Sequence, residues 1–418
     1  MMSSLARKIA IAAADPPRAF RFALATATAL MIVLSWPLWN GDEGAAEIPR
    51  VPWIAGLDPP ANLGARLIPW GALAALGWLA TNRRPRWAAS CALALGSWLV
   101  LFDQHRLQPW MQQFLAMTLA LAVAPSDRAL GYCRLYLVAL YFHSGLSKLD
   151  WSFTQEIGAN FLRTMTPPLG LDSDQWSAPW RIATVLAMPV GEIGIALTLG
   201  FAKTRRWGVG LAVAMHAILI AVLGPWALDQ STIVLVWNAA LAIQVAILFQ
   251  PAALTMTSDE PGRWEGIARL AMLAVVVAPF FERSGLWDSW PSFALYASHC
   301  ERTLVYVAES EDSAGVDRLP PSARRCLIAD DSVPAPWRRL DLTVWSRSTR
   351  GTPVYPQNRA CAGLAEFLAE RATVMVIREG RADRWTGRRE RVKLLGLPAI
   401  REHSRESWLN ARPRPIRP

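Results

Sequence analysis

Four side chains able to handle protons stand inside long apolar runs of this chain: Lys148, Glu192, His216 and Tyr141. Lysine is scarce, occurring only at Lys8, Lys148, Lys203 and Lys393 among 43 Lys+Arg. Arginine keeps its proton in a protein, whereas a desolvated lysine can release it. Lys148 closes the run Tyr141-Phe-His-Ser-Gly-Leu-Ser-Lys-Leu-Asp-Trp151 and is a candidate base. The competing reading is a lysine whose stem lies in the apolar layer and whose head anchors a helix end.

On the same run Arg134, Val138, Tyr141, Gly145 and Lys148 recur at spacings of four and three, so they share one helical face. A cation, a phenol and an amine on one stripe are costly against lipid, which turns the stripe toward a bundle interior or a wet cavity. Gly145 would permit close approach of another helix or a ligand. His143 lies off the stripe. Glu192, in Pro189-Val-Gly-Glu-Ile-Gly194, and His216 each need a partner. Glu192, His216, Lys148 and Arg134 could then form one polar cluster near the outer leaflet, either as a ligand site or only to hold helices together.

The elements that must position these groups are membrane helices. The chain is 53% hydrophobic and 18% charged with positive mean hydropathy, and its apolar blocks are long enough for a hydrocarbon layer about 30 Å thick. Nine spans are expected, near 20–38, 66–81, 87–102, 110–124, 129–148, 179–200, 207–223, 231–250 and 266–282. Of these, 87–102 and 110–124 are short enough to be re-entrant or one hairpin. The connectors 82–86 and 202–206 and the N-terminus are basic, whereas 42–58 and 150–174 are acidic. Basic loops stay in the cytoplasm, so Lys148 and the C-terminal segment face outward. Many of the 21 tryptophans sit at span ends as an aromatic belt, namely Trp36, Trp39, Trp87, Trp110, Trp151, Trp180, Trp207, Trp226 and Trp264.

The fold class expected is an all-α polytopic bundle over 1–285, followed by a small α+β soluble domain over 286–410 and a disordered tail, 411–418. Strands are predicted at 303–307, 340–345 and 373–377, and an amphipathic helix at 358–371. Cys300, Cys326 and Cys361 would allow one disulfide and one spare thiol if this domain lies outside. The histidines show no metal-ligand spacing, and no metal is expected. The arginines are interleaved with acids and no recognition motif occurs, so the partner is the lipid bilayer and not nucleic acid.

The run Leu137-Val-Ala-Leu-Tyr-Phe-His-Ser-Gly-Leu-Ser-Lys-Leu-Asp-Trp151 resembles the HTTM (vitamin K-dependent γ-carboxylase-like) membrane domain, a group distantly similar to the DoxX and MauE membrane proteins. Leu101-Phe-Asp-Gln-His-Arg-Leu-Gln-Pro-Trp110, Glu192 and His216 are consistent with it, and the likeness covers about residues 15–285, most specifically Gly145–Asp150. It implies Lys148 as the base that deprotonates a hydroquinone, assisted by the charge of Arg134, with His216 orienting a quinone oxygen or an oxyanion. Arg134, Tyr141, Gly145 and Glu192 would line the ligand. A lipid-soluble quinone is the one cofactor implied, and a protein substrate is a further partner in that reading.

Two readings follow. One is an integral inner-membrane enzyme or redox component acting on a quinone near the outer face. The other is a non-catalytic scaffold or assembly protein with an extracytoplasmic interaction domain.

Overall fold

The computed structural model describes residues 15–40, 47–57, 63–254, 262–309 and 314–414. Nine apolar helices of 13 residues or more occur among them, at the expected places: α1 (Pro16–Leu34), α2 (Leu63–Ala80), α3 (Pro85–Leu101), α4 (Pro109–Val123), α5 (Ser126–Ser147), α6 (Ala178–Gly200), α7 (Arg205–Leu223), α8 (Thr232–Leu248) and α9 (Glu265–Val277). Proline starts several of them, because the first-turn N–H it lacks would have no partner anyway. Asp15 also caps α1 by accepting the Arg18 N–H at 3.0 Å. The two short segments are separate antiparallel helices, α3 and α4, joined through a 3-10 turn at Gln104–Arg106.

Helices α1 to α8 pack as a closed ring, each against its sequence neighbour, with α8 returning to α1. Helix α5 also touches α8 and α1, and α9 lies against α4 and α5. Three helices, α1, α6 and α7, are long and apolar enough to cross a membrane by length and composition, while Leu67–Ala80 and α8 are shorter apolar helices. Helices α3, α4, α8 and α9 are shorter, at 13 to 17 residues, whereas α5 has 22 residues but is more polar, and its position explains that. Helices α6 and α7 turn most of their surface outward, whereas α5 is packed on several sides and can carry Arg134, Tyr141 and His143 without exposing them.

The two ends of the bundle differ. At one end Arg21 donates to Asn82 at 2.7 Å and Arg128 pairs with Glu265 at 3.0 Å. At the other end sits the C-terminal domain, a five-stranded antiparallel sheet in the order β2-β3-β1-β4-β5. Its strands are β1 (Arg302–Ala308), β2 (Leu327–Ile328), β3 (Trp337–Leu340), β4 (Val374–Glu379) and β5 (Arg391–Leu395). Its longer helices are α10 (Leu342–Arg350), α11 (Asn358–Ala369) and α12 (Gly396–Arg405).

The strand expected over 340–345 is corrected: the strand stops at Leu340 and α10 begins. Asp341 accepts the N–H groups of Thr343 and Val344, and Gly351 ends the helix in the left-handed region, φ 72°. Leu342 and Trp345, three apart, then share the buried face.

Bundle and domain exchange segments across the expected boundary. Ile48 packs in the core of the C-terminal domain, and Phe293 packs in the core of the bundle against Tyr136. Gln104 donates to Asn410 O at 2.7 Å, Trp151 N to Arg384 O at 2.9 Å, and Tyr355 N to His105 Nδ1 at 3.1 Å. Burial presses the His105 pKa down to about 4, which keeps this ring neutral with its Nδ1 free to accept. The tail expected to be disordered is in place as far as Arg414, whose N–H donates to Arg50 O at 2.8 Å. Residues 415–418 lie outside the described residues, as do Asp42, Glu43, Asp58, Asp259 and Glu260 of the charged loops.

All five cysteines are free thiols, and burial raises Cys300 and Cys361 to about 12, so neither is a thiolate near neutrality. Exposed tryptophans ring both ends of the bundle, Trp87, Trp207 and Trp264 at one and Trp70, Trp180 and Trp226 at the other. Trp39 and Trp110 are not part of that belt. They are buried together, ring centroids 5.6 Å apart, with the Arg106 guanidinium over Trp39.

Candidate functional site

Helix α5 ends at Lys148, and the terminal turn folds its amine back on the bundle. Lys148 Nζ donates to Ser144 Oγ at 2.6 Å and Ser144 O at 3.0 Å, and it meets both carboxylate oxygens of Glu192 at 3.0 and 2.9 Å. Only 6% of the lysine side chain is exposed, against 16% for Glu192, so the carboxylate is the more accessible partner.

Gly145 makes this contact geometrically available. A Cβ there would lie 2.6 Å from Pro189 O and 2.8 Å from Ile193 Cγ1, so α5 and α6 cross backbone to backbone. The close approach expected of Gly145 is to a helix.

One layer deeper, Tyr141 OH lies 2.7 Å from His216 Nε2, and His216 Nδ1 lies 2.9 Å from Asn238 Oδ1. Asn238 Nδ2 donates to Val234 O at 2.8 Å, which leaves Oδ1 as the acceptor. His216 therefore carries its proton on Nδ1 and accepts the Tyr141 hydroxyl on Nε2. Tyr141 lies on the same face of α5 as Ser144 and Lys148, seven residues or about 10 Å along the axis before the lysine. Lys148 with Glu192, and Tyr141 with His216 and Asn238, are thus two polar groups built across α5, α6, α7 and α8, and no hydrogen bond joins one to the other among the described residues.

Arg134 belongs to neither. It precedes Lys148 by fourteen residues, about 21 Å along a helix rising 1.5 Å per residue. Its guanidinium donates to Ala253 O at 3.1 Å and Leu248 O at 3.4 Å at the opposite end of the bundle. A shared helical face aligned these residues but did not bring them together. Where a neighbouring cation was expected, Lys148 has a carboxylate. His143 also stands apart, with Nε2 on Val276 O at 2.9 Å and its ring against Phe280 and Phe293.

Several partners escaped sequence reading. Asn238 was detectable in principle as an amide inside an apolar run, as were Gln113 and Gln244, which bond at 2.5 Å while Trp237 donates to Gln113 at 2.6 Å. Asp150 had no such signal. Its Oδ1 caps the short helix Trp151–Gln155 by accepting Phe153 N at 2.8 Å. Its Oδ2 takes Arg283 at 2.7 Å and His299 Nδ1 at 3.1 Å, and His299 Nε2 reaches Glu282 Oε2 at 2.8 Å. Burial opposes a charge on His299, but the bonds to Asp150 and Glu282 outweigh it and raise the imidazole pKa. The same contacts hold both carboxylates below their ordinary values despite burial.

Glu282, His299 and Cys300 place one ligand atom each within 4.8 Å of one another, the one such set among the described residues. Glu282 Oε1 already accepts Arg381 at 3.2 Å and Ser289 at 3.1 Å, and both ring nitrogens of His299 are bonded. These bonds close the set as a hydrogen-bond network.

Comparison with protein-family models, with curated proteins and with solved structures finds no match to this chain.

Proposed function

We propose that this chain is a multi-pass membrane protein of about nine spans, related to the HTTM group, with its C-terminal domain outside an inner membrane. In this reading it acts on a lipid-soluble quinone through the Lys148–Glu192 pair. The orientation rests on the basic connectors at 82–86 and 202–206, which lie at the end of the bundle away from the C-terminal domain.

The observation that carries the chemical part is the pairing itself. A carboxylate and an ammonium meet at the end of α5, about two helical turns from a hydroxyl hydrogen-bonded to an imidazole. Such a couple can take the proton of a hydroquinone hydroxyl on Glu192 while Lys148 holds the anion left behind. In the alternative route that the family resemblance implies, the Lys148 proton passes first to Glu192, and the neutral amine then takes the hydroquinone proton in its place.

Mass spectrometry of lipids co-purifying with the detergent-solubilised protein tests this, comparing wild type with Lys148→Arg and Glu192→Gln. A quinone retained by the wild type and lost in the variants supports the reading. Its absence from all three, with Lys148→Arg functionally silent, overturns it.

A second reading is favoured by one observation: every proton of the Lys148 ammonium has a partner within the protein, as a purely structural clamp requires. The chain would then be a non-catalytic scaffold. In that case removing residues 287–418 abolishes function while Lys148→Arg does not.

A further inference from the structure

Away from the Lys148 face, α5 borders a cleft. Successive residues of a helix turn by 100°, so His143, Leu146 and Ser147 project away from Tyr141, Ser144 and Lys148. Between them and the C-terminal domain lies a cleft of about 190 Å³. His143, Ser147, Phe280, Arg283, Ser292 and Arg384 are among the residues that line it.

The lining is graded. Leu146, Pro279, Phe280 and Ala294 form an apolar wall, while Arg283 and Arg384 come from the segment and the domain that cover the bundle end. Arg384 uses Nε on Leu149 O at 3.1 Å, and among the described residues its two terminal nitrogens carry no hydrogen bond. Arg283 uses one nitrogen on Asp150. The single carboxylate of the lining, Glu282, is already held by His299, Arg381 and Ser289. Arg283 is thus ion-paired with Asp150, and Arg384 is the cation of this lining with no carboxylate ion pair among the described residues.

Outside the cleft the surface is apolar: Phe280 is 57% exposed, with Phe281, Leu286 and Trp287 exposed beside it. Such a patch on a membrane-facing rim is where an acyl or isoprenoid chain would lie.

We propose that this cleft binds the anionic head of a membrane amphiphile, a phosphate or carboxylate on an apolar chain. Arg384 and Arg283 hold the head, and the chain leaves across Phe280. The site is separate from the acid–base pair and rests only on the membrane-spanning part of the proposed function.

The test uses the full chain in a non-ionic detergent and three probes: octyl phosphate, octan-1-ol and inorganic phosphate, with binding followed by calorimetry. Octyl phosphate should bind saturably at one site. Arg384→Gln should weaken it roughly tenfold or more, as expected for losing a bond to a charged group. Leu146→Trp, which fills the cleft, should abolish binding, with circular dichroism verifying that each variant keeps its fold. Octan-1-ol binding as tightly as octyl phosphate would refute the anionic head. Inorganic phosphate binding as tightly would refute the membrane amphiphile in favour of a soluble anion. Octyl phosphate binding untouched by both substitutions would refute the cleft.

Discussion

Lys148 and Glu192 stand 44 residues apart in sequence and meet at 2.9 Å because Gly145, three residues before the lysine, lets α6 touch the backbone of α5. The ion pair and the missing side chain are one device. Without the glycine the helices separate, and the carboxylate no longer reaches the amine.

Gly145→Ala should therefore act twice. Inserting a methyl 2.6 Å from Pro189 O forces backbone movement, with a cost of about 1–3 kcal/mol typical of overpacking. Thermal unfolding in detergent should report that loss, and the variant should behave like Glu192→Gln in quinone retention. An unchanged melting temperature would contradict the crossing.

Breaking the ion pair from one side should be worse than removing it altogether. Lys148→Met leaves the Glu192 charge uncompensated at a cost of about 3–5 kcal/mol, and Glu192→Leu does the same to the amine. The double variant should recover much of the difference, which a double-mutant cycle on unfolding free energy would measure. Additive losses would mean that the two groups do not interact.

Tyr141→Phe removes the donor to His216 and leaves a buried ring nitrogen without a partner. The expected cost is about 1–3 kcal/mol. Made in a His216→Phe background, the same substitution should cost less, since the hydroxyl then has no imidazole to lose. An equal loss in the wild-type and His216→Phe backgrounds, measured by thermal unfolding, would argue against the hydrogen bond.

Attachment of the C-terminal domain should depend on pH through Asp150, His299 and Glu282. The folded pKa of His299 is raised, so its stabilising effect is complete below the ordinary imidazole value and is lost as pH rises through the raised one. The two carboxylates are lowered, so theirs is present above the ordinary carboxylate range and lost as pH falls through the lowered values. Docking should be strongest at mildly acidic pH. Hydrogen exchange of residues 149–156 against pH would show the window, and His299→Gln should remove its alkaline edge.

Trp408 is 85% exposed on the C-terminal domain and gives a clean test of orientation. In intact cells Trp408→Cys should react with a membrane-impermeant thiol reagent. Protection that lifts only on lysis would put the domain on the cytoplasmic side.

Much of this was legible from residue order. The apolar blocks gave nine helices within a few residues, and Asn358–Ala369 was readable from its amphipathic pattern. Alternation misled at 340–345, where Leu340, Leu342 and Val344 resemble a strand. The Asp341 cap and the three-residue spacing of Leu342 and Trp345 decided for a helix. Arg134 misled for another reason: equal helical phase says nothing about distance along the axis.

The sequence by itself determined which segments are helical, where they end and which polar groups stand inside apolar surroundings, because hydropathy, periodicity and capping are properties of neighbouring residues. Only the tertiary structure decided the partners. Glu192 and not Arg134 reaches Lys148, Asn238 fixes the proton of His216, and His299 joins Asp150 across 149 residues. Those pairings depend on how helices cross and where a domain docks. Such crossings are set by packing between residues distant in the chain, as at Gly145 against Pro189, and local pattern carries no record of them.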